Sequence, residues 1–192
     1  MKPIEAASFA CPRASSPRLL ATALTLALAP FAAAGGTTQR CSVSSAGVLG
    51  NGNSYWGNSP SDRYISADGR FVAFQSESSN LAPGDAGFWS DIFVRDTLLG
   101  TTECVSVSNA GVYGNGASNM PSISADGRFV AFNSDATNLV AGDTNGFLDV
   151  FVHDRVAGTT ELVSVSTTGA QANYHSGRPS ISADGRFVAF QS

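Results

Sequence analysis

The chain is nearly without lysine: Lys2 is the only one in 192 residues, and the remaining basic residues are arginines scattered singly. With no basic cluster and a net charge of −4, nucleic acid and anionic membrane surfaces are poor partners. Long apolar runs are missing as well. The most apolar stretch, residues 19–28, is too short to cross a bilayer comfortably. Catalytic signatures are absent: there is no Gly-x-Ser-x-Gly elbow, no helix-borne metal motif and no phosphate-binding loop. The two histidines, His153 and His175, have no Cys, second His or Glu at zinc-ligand spacing. His153 stands where the first repeat has Arg95, so it reads as solvated surface. Carboxylates are present but scattered, and they suggest no acid/base pair.

Residues 1–34 have the layout of an export signal. Lys2, Arg13 and Arg18 precede the apolar stretch, and Ala32 and Ala34 supply the small residues of an A-x-A cleavage site. Cleavage after Ala34 predicts a periplasmic or extracellular protein with no membrane insertion afterwards. Residues 35–192 then carry eight Arg against fourteen Asp and Glu, a net of −6. Cys11 leaves with the signal, and Cys41 and Cys104 remain in an oxidising compartment.

What is abundant is repetition. Ile-Ser-Ala-Asp-Gly-Arg-Phe-Val-Ala-Phe occurs at 65–74, 123–132 and 181–190, each copy 58 residues after the last. Such a period marks a repeat architecture. In the second repeat, residues 121–124 and 128–133 read as two strands around an Ala-Asp-Gly turn. Residues 149–154 and 160–166 read as the third and fourth strands, joined by the turn at 155–158. Phe129-Val130-Ala131-Phe132 and Val150-Phe151-Val152 are apolar without alternation, so both faces are covered. The fourth strand alternates, with Val163 and Val165 predicted inward and Ser164 and Ser166 outward. Doubly covered inner strands beside a wetter outer strand suit radially packed propeller blades. A two-sheet sandwich would alternate throughout.

Ser-Ala-Asp-Gly-Arg-Phe-Val-Ala-Phe, then Asp-Val-Phe-Val-His-Asp, then Gly-Thr-Thr-Glu, resembles the PD40 or WD40-like β-propeller repeat of the TolB type. Ala67, Ala125 and Ala183 stand where that family usually has Pro. The resemblance covers about residues 37–192. It implies an all-β fold of four-stranded antiparallel blades, and an exported, non-enzymatic module that binds protein or glycan. Residues 62–109 and 120–167 make two whole blades, and 179–192 supply the first two strands of another. Residues 41–45 match only a fourth strand. A closed propeller typically has about 4–8 blades, so this array reads as part of a longer propeller or as a piece that self-associates through exposed blade faces.

Strand alternation places the Ala-Asp-Gly turns at one plain end and the long loops at the other, where binding belongs. Six extra residues enter before blade one, around Tyr55 and Trp56. Phe88 and Trp89 lie in the long loop of the same blade, so the four aromatics form one candidate site for a sugar ring or a peptide. The alternative is that they pack on each other and pin the loops. Asp143, Asn145 and Asp149, with Gly146 between, have the look of a calcium loop, although they also suit an ordinary turn. No other cofactor is indicated. Asp68, Asp126 and Asp184 read as turn residues, and Arg70 and Arg128 as partners of Asp96 and Asp154. Aligning 42–44 with 106–108 sets Cys41 and Cys104 on opposite faces of equivalent strands. A disulfide between them needs Cα atoms within about 7 Å.

Three functional readings remain. They are a non-enzymatic protein- or glycan-binding propeller, the accessory propeller of a larger hydrolase, and a calcium-stabilised adhesion repeat.

Overall fold

The computed structural model describes residues 38–56, 63–85 and 87–192. Residues 1–34, read above as an export signal, and part of the six-residue insertion lie outside the described residues.

Each repeated decapeptide folds into strand, turn, strand, for a local reason. Ser66 Oγ donates to Asp68 Oδ1 (2.6 Å), which also accepts the Arg70 N–H (3.0 Å), while the Phe71 N–H returns to Ser66 Oγ (2.9 Å). The same three bonds recur around Asp126 and Asp184. These aspartates are therefore occupied by the turns, as the sequence suggests.

Ten strands follow: β1 (Ser54–Tyr55), β2 (Phe71–Ser76), β3 (Asp91–Asp96), β4 (Thr101–Cys104), β5 (Ser118–Ile123), β6 (Phe129–Ser134), β7 (Asp149–Asp154), β8 (Thr159–Leu162), β9 (Gly177–Ile181) and β10 (Val188–Gln191). They form two four-stranded up-and-down sheets, β1-β2-β3-β4 and β5-β6-β7-β8, and a two-stranded sheet of β9 and β10. All pairings are antiparallel. β5 packs on β2 and β3, and β9 packs on β5, β6 and β7, so the first strands gather on one side of the array. This is the arrangement of β-propeller blades: two whole and one in part. Among the described residues there is no helix.

Burial follows the sequence pattern in the inner strands. Every residue of β3 is buried, whereas β4 and β8 are each only partly covered. One core lies between the blades, where Ala73, Ile92, Val94 and Val105 meet Ile123, Val130, Phe132 and Phe151. Each large side chain there contributes about 1.5–3 kcal/mol.

The fourth strand departs from expectation. β8 stops at Leu162, and Ser164 is 2% exposed while Val165 is 38% exposed, the reverse of the predicted facing. The cause is polar: Ser164 Oγ donates to Asp149 Oδ1 (2.5 Å) and accepts the Val150 N–H (3.1 Å). Those bonds draw the serine inward and turn the chain out of the sheet. His153 also differs from its surface assignment. It is buried, with Nδ1 2.9 Å from Thr160 Oγ1, and burial lowers its pKa. Arg95 fills the same place in blade one and donates to Thr102 Oγ1 at 3.0 Å.

The plain end interlocks the blades. The Phe71 ring packs so close to Gly127 that a Cβ there would fall 2.2 Å from Phe71 Cδ2. Phe129 meets Gly185 in the same way, at 2.3 Å. The turns are also tied together, Ala67 N–H donating to Ala125 O (2.8 Å) and Ala125 N–H to Ala183 O (2.9 Å). Arg70 and Arg128 bridge Asp96 (2.7 Å) and Asp154 (2.6 Å), as expected. Arg155 lies over the Phe71 ring, 4.3 Å from its centroid, and binds Glu103 and Gly127 O.

Candidate functional site

At the opposite end, the loops are held by a repeated asparagine clamp. Asn115 N–H donates to Asn138 Oδ1 (2.9 Å), and Asn138 Nδ2 donates to Tyr113 O (2.9 Å). Thr137 N–H donates to Asn115 Oδ1 (2.8 Å). Asn51, Asn80 and Ser79 repeat the pattern in blade one. The clamp needs close backbone approach: a Cβ on Gly116 would lie 2.8 Å from Ala136 N. The rigid loops that result are a suitable frame for a binding site.

Inside this frame the innermost strands are irregular. In β5 the pairing shifts between Asn119 and Ser122, and Met120 adopts φ 54. Arg178, its counterpart in β9, has the same φ. A non-glycine residue in the left-handed region costs about 1–2 kcal/mol and points to a functional constraint. In blade one, Tyr55 pairs with Gln75 as Asn119 pairs with Asn133, and Ile65 resumes the ladder opposite Val72. The six-residue insertion therefore does not precede blade one, as the sequence suggested. It splits the blade's first strand at the position of the β5 bulge.

Between these strands lies an open cleft of about 610 Å³ lined by Tyr55, Trp56, Gln75, Asn119, Met120, Asn133, Asp135, Leu148 and His175. It draws on both whole blades and on the loop entering the third, so packing of adjacent repeats creates it. Trp56 is 68% exposed and Tyr55 45%, and neither stacks on another ring among the described residues. Gln75 Oε1 accepts the Met120 N–H (3.0 Å). Asn133 occupies the same repeat position with a side chain one methylene shorter, and its Oδ1 is buried without a partner among the described residues. His175 Nδ1 accepts the Leu148 N–H (3.0 Å), which leaves Nε2 as the ring's donor, and the imidazole meets Phe147 and Tyr174 edge-on.

Of the four predicted aromatics, the structure brings Tyr55 and Trp56 to this cleft. Phe88 and Trp89 are exposed and line no part of it, and the two tryptophans do not pack on each other. Sequence reasoning missed the polar lining. A signal was available: residues 75, 133 and 191 are Gln, Asn and Gln, a carboxamide at one position of every repeat.

Of the three residues of the calcium reading, Asp143, Asn145 and Asp149, the last two engage their side chains within the protein. Asn145 turns its amide nitrogen, not its oxygen, to Asp149 Oδ2 (2.7 Å), and its oxygen accepts the Phe147 N–H (3.0 Å). Asp149 Oδ1 is taken by Ser164. No group of three or more His, Cys, Asp and Glu suited to a metal occurs among the described residues. The segment is a loop pinned by its own amides. Nor does a disulfide join Cys41 to Cys104. The register that pairs Cys104 with Phe93 turns its sulfur into the cluster of Phe74, Leu81, Ala82 and Phe93. There Sγ lies 3.3 Å from Ser106 Oγ, and burial pushes the thiol pKa up.

No protein-family model matches the chain, and no curated protein matches it. Among solved structures, a protein described as a TolB from Agrobacterium tumefaciens is similar over 72% of this chain, with 22% identity and a TM-score of 0.46. TolB from Acinetobacter baumannii is similar over 66%, with 19% identity and a TM-score of 0.42. This chain spans 38% and 25% of the lengths of those two chains.

Proposed function

We propose that this protein is an exported, non-enzymatic binding module whose ligand seats in the cleft between its blades. The observation that carries this reading is the cleft's lining: exposed aromatics at the rim and a row of side-chain amides, on loops braced by the asparagine clamps. Among the described residues, the lining holds one carboxylate, Asp135, and one imidazole, His175, and no Ser, Thr, Cys or Lys to act as a nucleophile. Such a set can hold a molecule and has little with which to transform it. Export rests on the signal-like residues 1–34.

Two measurements test the proposal. Expressed from its own start in a Gram-negative host, the protein is expected outside the cytoplasm with Gly35 at its amino terminus; cytoplasmic material with an intact amino terminus overturns export. Incubation with chromogenic esters, amides and glycosides is expected to give no turnover, and any turnover lost in Asp135→Asn or His175→Gln overturns the non-enzymatic reading.

A further inference from the structure

We infer that the ligand of this cleft is a neutral oligosaccharide. The inference rests on the cleft being a binding site, and it names the class of molecule bound.

Four kinds of observation converge. The first is the hydrogen-bonding chemistry. Gln75, Asn119 and Asn133 each carry an acceptor and donors on one planar group, and Asp135 adds a pair of acceptors. A sugar hydroxyl both donates and accepts, and neighbouring hydroxyls match the spacing of the two ends of a carboxamide. Asn133 supplies the sharpest detail: it is 3% exposed, and its Oδ1 has no donor among the described residues. A buried acceptor left unpaired is costly, and a ligand hydroxyl would relieve that cost.

The second is the rim. Trp56 and Tyr55 present flat apolar faces beside the amides, without ring partners among the described residues. The C–H face of a pyranose stacks on such a ring while its hydroxyls reach the amides behind.

The third is charge. Among the described residues no arginine or lysine lines the cleft, and the acidic side chain there is Asp135. His175 accepts a main-chain N–H on Nδ1 and offers the cleft a donor at Nε2. An acidic sugar would find no arginine or lysine among those residues.

The fourth concerns the main chain. An extended peptide is commonly held by adding a strand to an open sheet edge. Here the main-chain donors of the inner strand are already used. Ser118 N–H donates to Ser90 O, Met120 N–H to Gln75 Oε1 and Ile123 N–H to Arg63 O. With that edge closed, recognition falls to side chains, which favours a molecule read through hydroxyls over one read through its backbone.

The test uses the full chain on two arrays, one of neutral and acidic oligosaccharides and one of peptides. Wild type, Trp56→Ala, Asn133→Leu and Trp89→Ala are compared, with circular dichroism of each to confirm folding. The expected result is binding to neutral oligosaccharides that falls about tenfold or more in Trp56→Ala and Asn133→Leu and stays near wild type in Trp89→Ala, whose ring lies outside the cleft. A trisaccharide found this way is expected to change Trp56 fluorescence on titration. Trp56-dependent binding to peptides alone, or to acidic sugars alone, overturns the neutral-glycan assignment and leaves the cleft as the binding site. Binding that is the same in wild type and in folded Trp56→Ala, or absent from both arrays, overturns the cleft reading as well.

Discussion

Asp91 shows how one substitution between repeats changes the chemistry of a position. In blade two its counterpart Asp149 receives the amide of Asn145, but blade one has Gly87 at that place. Asp91 keeps only Ser106 as a side-chain donor, at 2.6 Å, and faces Asp85 and Cys104. Burial raises its pKa to about 7. A carboxyl whose folded pKa lies above its unfolded value of 3.8 favours the folded state at low pH. That contribution is complete below 3.8 and is lost as pH rises through about 7, for a change of order 4 kcal/mol. Asp154 behaves oppositely: the bond from Arg128 holds it at about 2, so its contribution disappears only in strong acid. Urea unfolding of wild type is expected to show lower stability at pH 8 than at pH 5, and Asp91→Asn is expected to flatten that dependence. Equal pH dependence in the two proteins would refute the assignment.

A second residue-scale expectation concerns Asn133. Replaced by Gln, it gains the reach that lets Gln75 accept the Met120 N–H, with the Arg178 N–H as the equivalent donor. Asn133→Gln is expected to add about 1 kcal/mol of stability and to weaken ligand binding, since the orphan acceptor is then satisfied. Thermal melting and titration of the same protein check both halves.

At the scale of elements, identical turns need not be equally tolerant. Gly69 and Gly127 share φ 74, yet a Cβ on Gly69 meets nothing within 4 Å, whereas one on Gly127 runs into Phe71. Gly69→Ala is expected to cost about 1 kcal/mol, from backbone strain alone. Gly127→Ala adds an interblade clash and is expected to cost about 3 kcal/mol or more. Denaturant midpoints compare the two directly, and equal costs would show that the Phe71 contact is slack.

The element scale is also where the sequence was most legible. β7 begins and ends at the predicted residues 149–154, and the two faces of the inner strands were readable because their apolar runs do not alternate. The fourth strand was misread because its decisive contact, Ser164 to Asp149, is polar and lies 15 residues away in sequence. The cleft was half legible. Tyr55 and Trp56 stood out as rare aromatics in an insertion. Gln75 and Asn133 matter through the blade beside them, a relation that hydrophobic periodicity does not report. Trp89 misled for the converse reason: sharing a loop end with Trp56 does not bring the two rings together.

For the whole molecule, the two sides of the array are complementary. Phe187, the third residue of its kind after Phe71 and Phe129, is 65% exposed. Gly69, the first glycine of its kind, is open. The contact made by Phe71 with Gly127 and by Phe129 with Gly185 can therefore be repeated by Phe187 with a glycine of the same kind, on a further repeat or at Gly69 of a second copy. Concentration-dependent association is expected in sedimentation experiments, and Phe187→Ser is expected to reduce it without changing the cleft. A monomer at all concentrations would show that this surface does not pair with a second copy.

The phenylalanine–glycine contact also bears on how such a chain can change over generations. Ring and socket recur every 58 residues, so inserting or deleting one whole repeat leaves every remaining ring facing a socket. The gene can lengthen or shorten in units of 58 codons without disturbing the joints. Copy number is thus free to drift at the plain end, while the loops at the other end accumulate the differences that select a ligand.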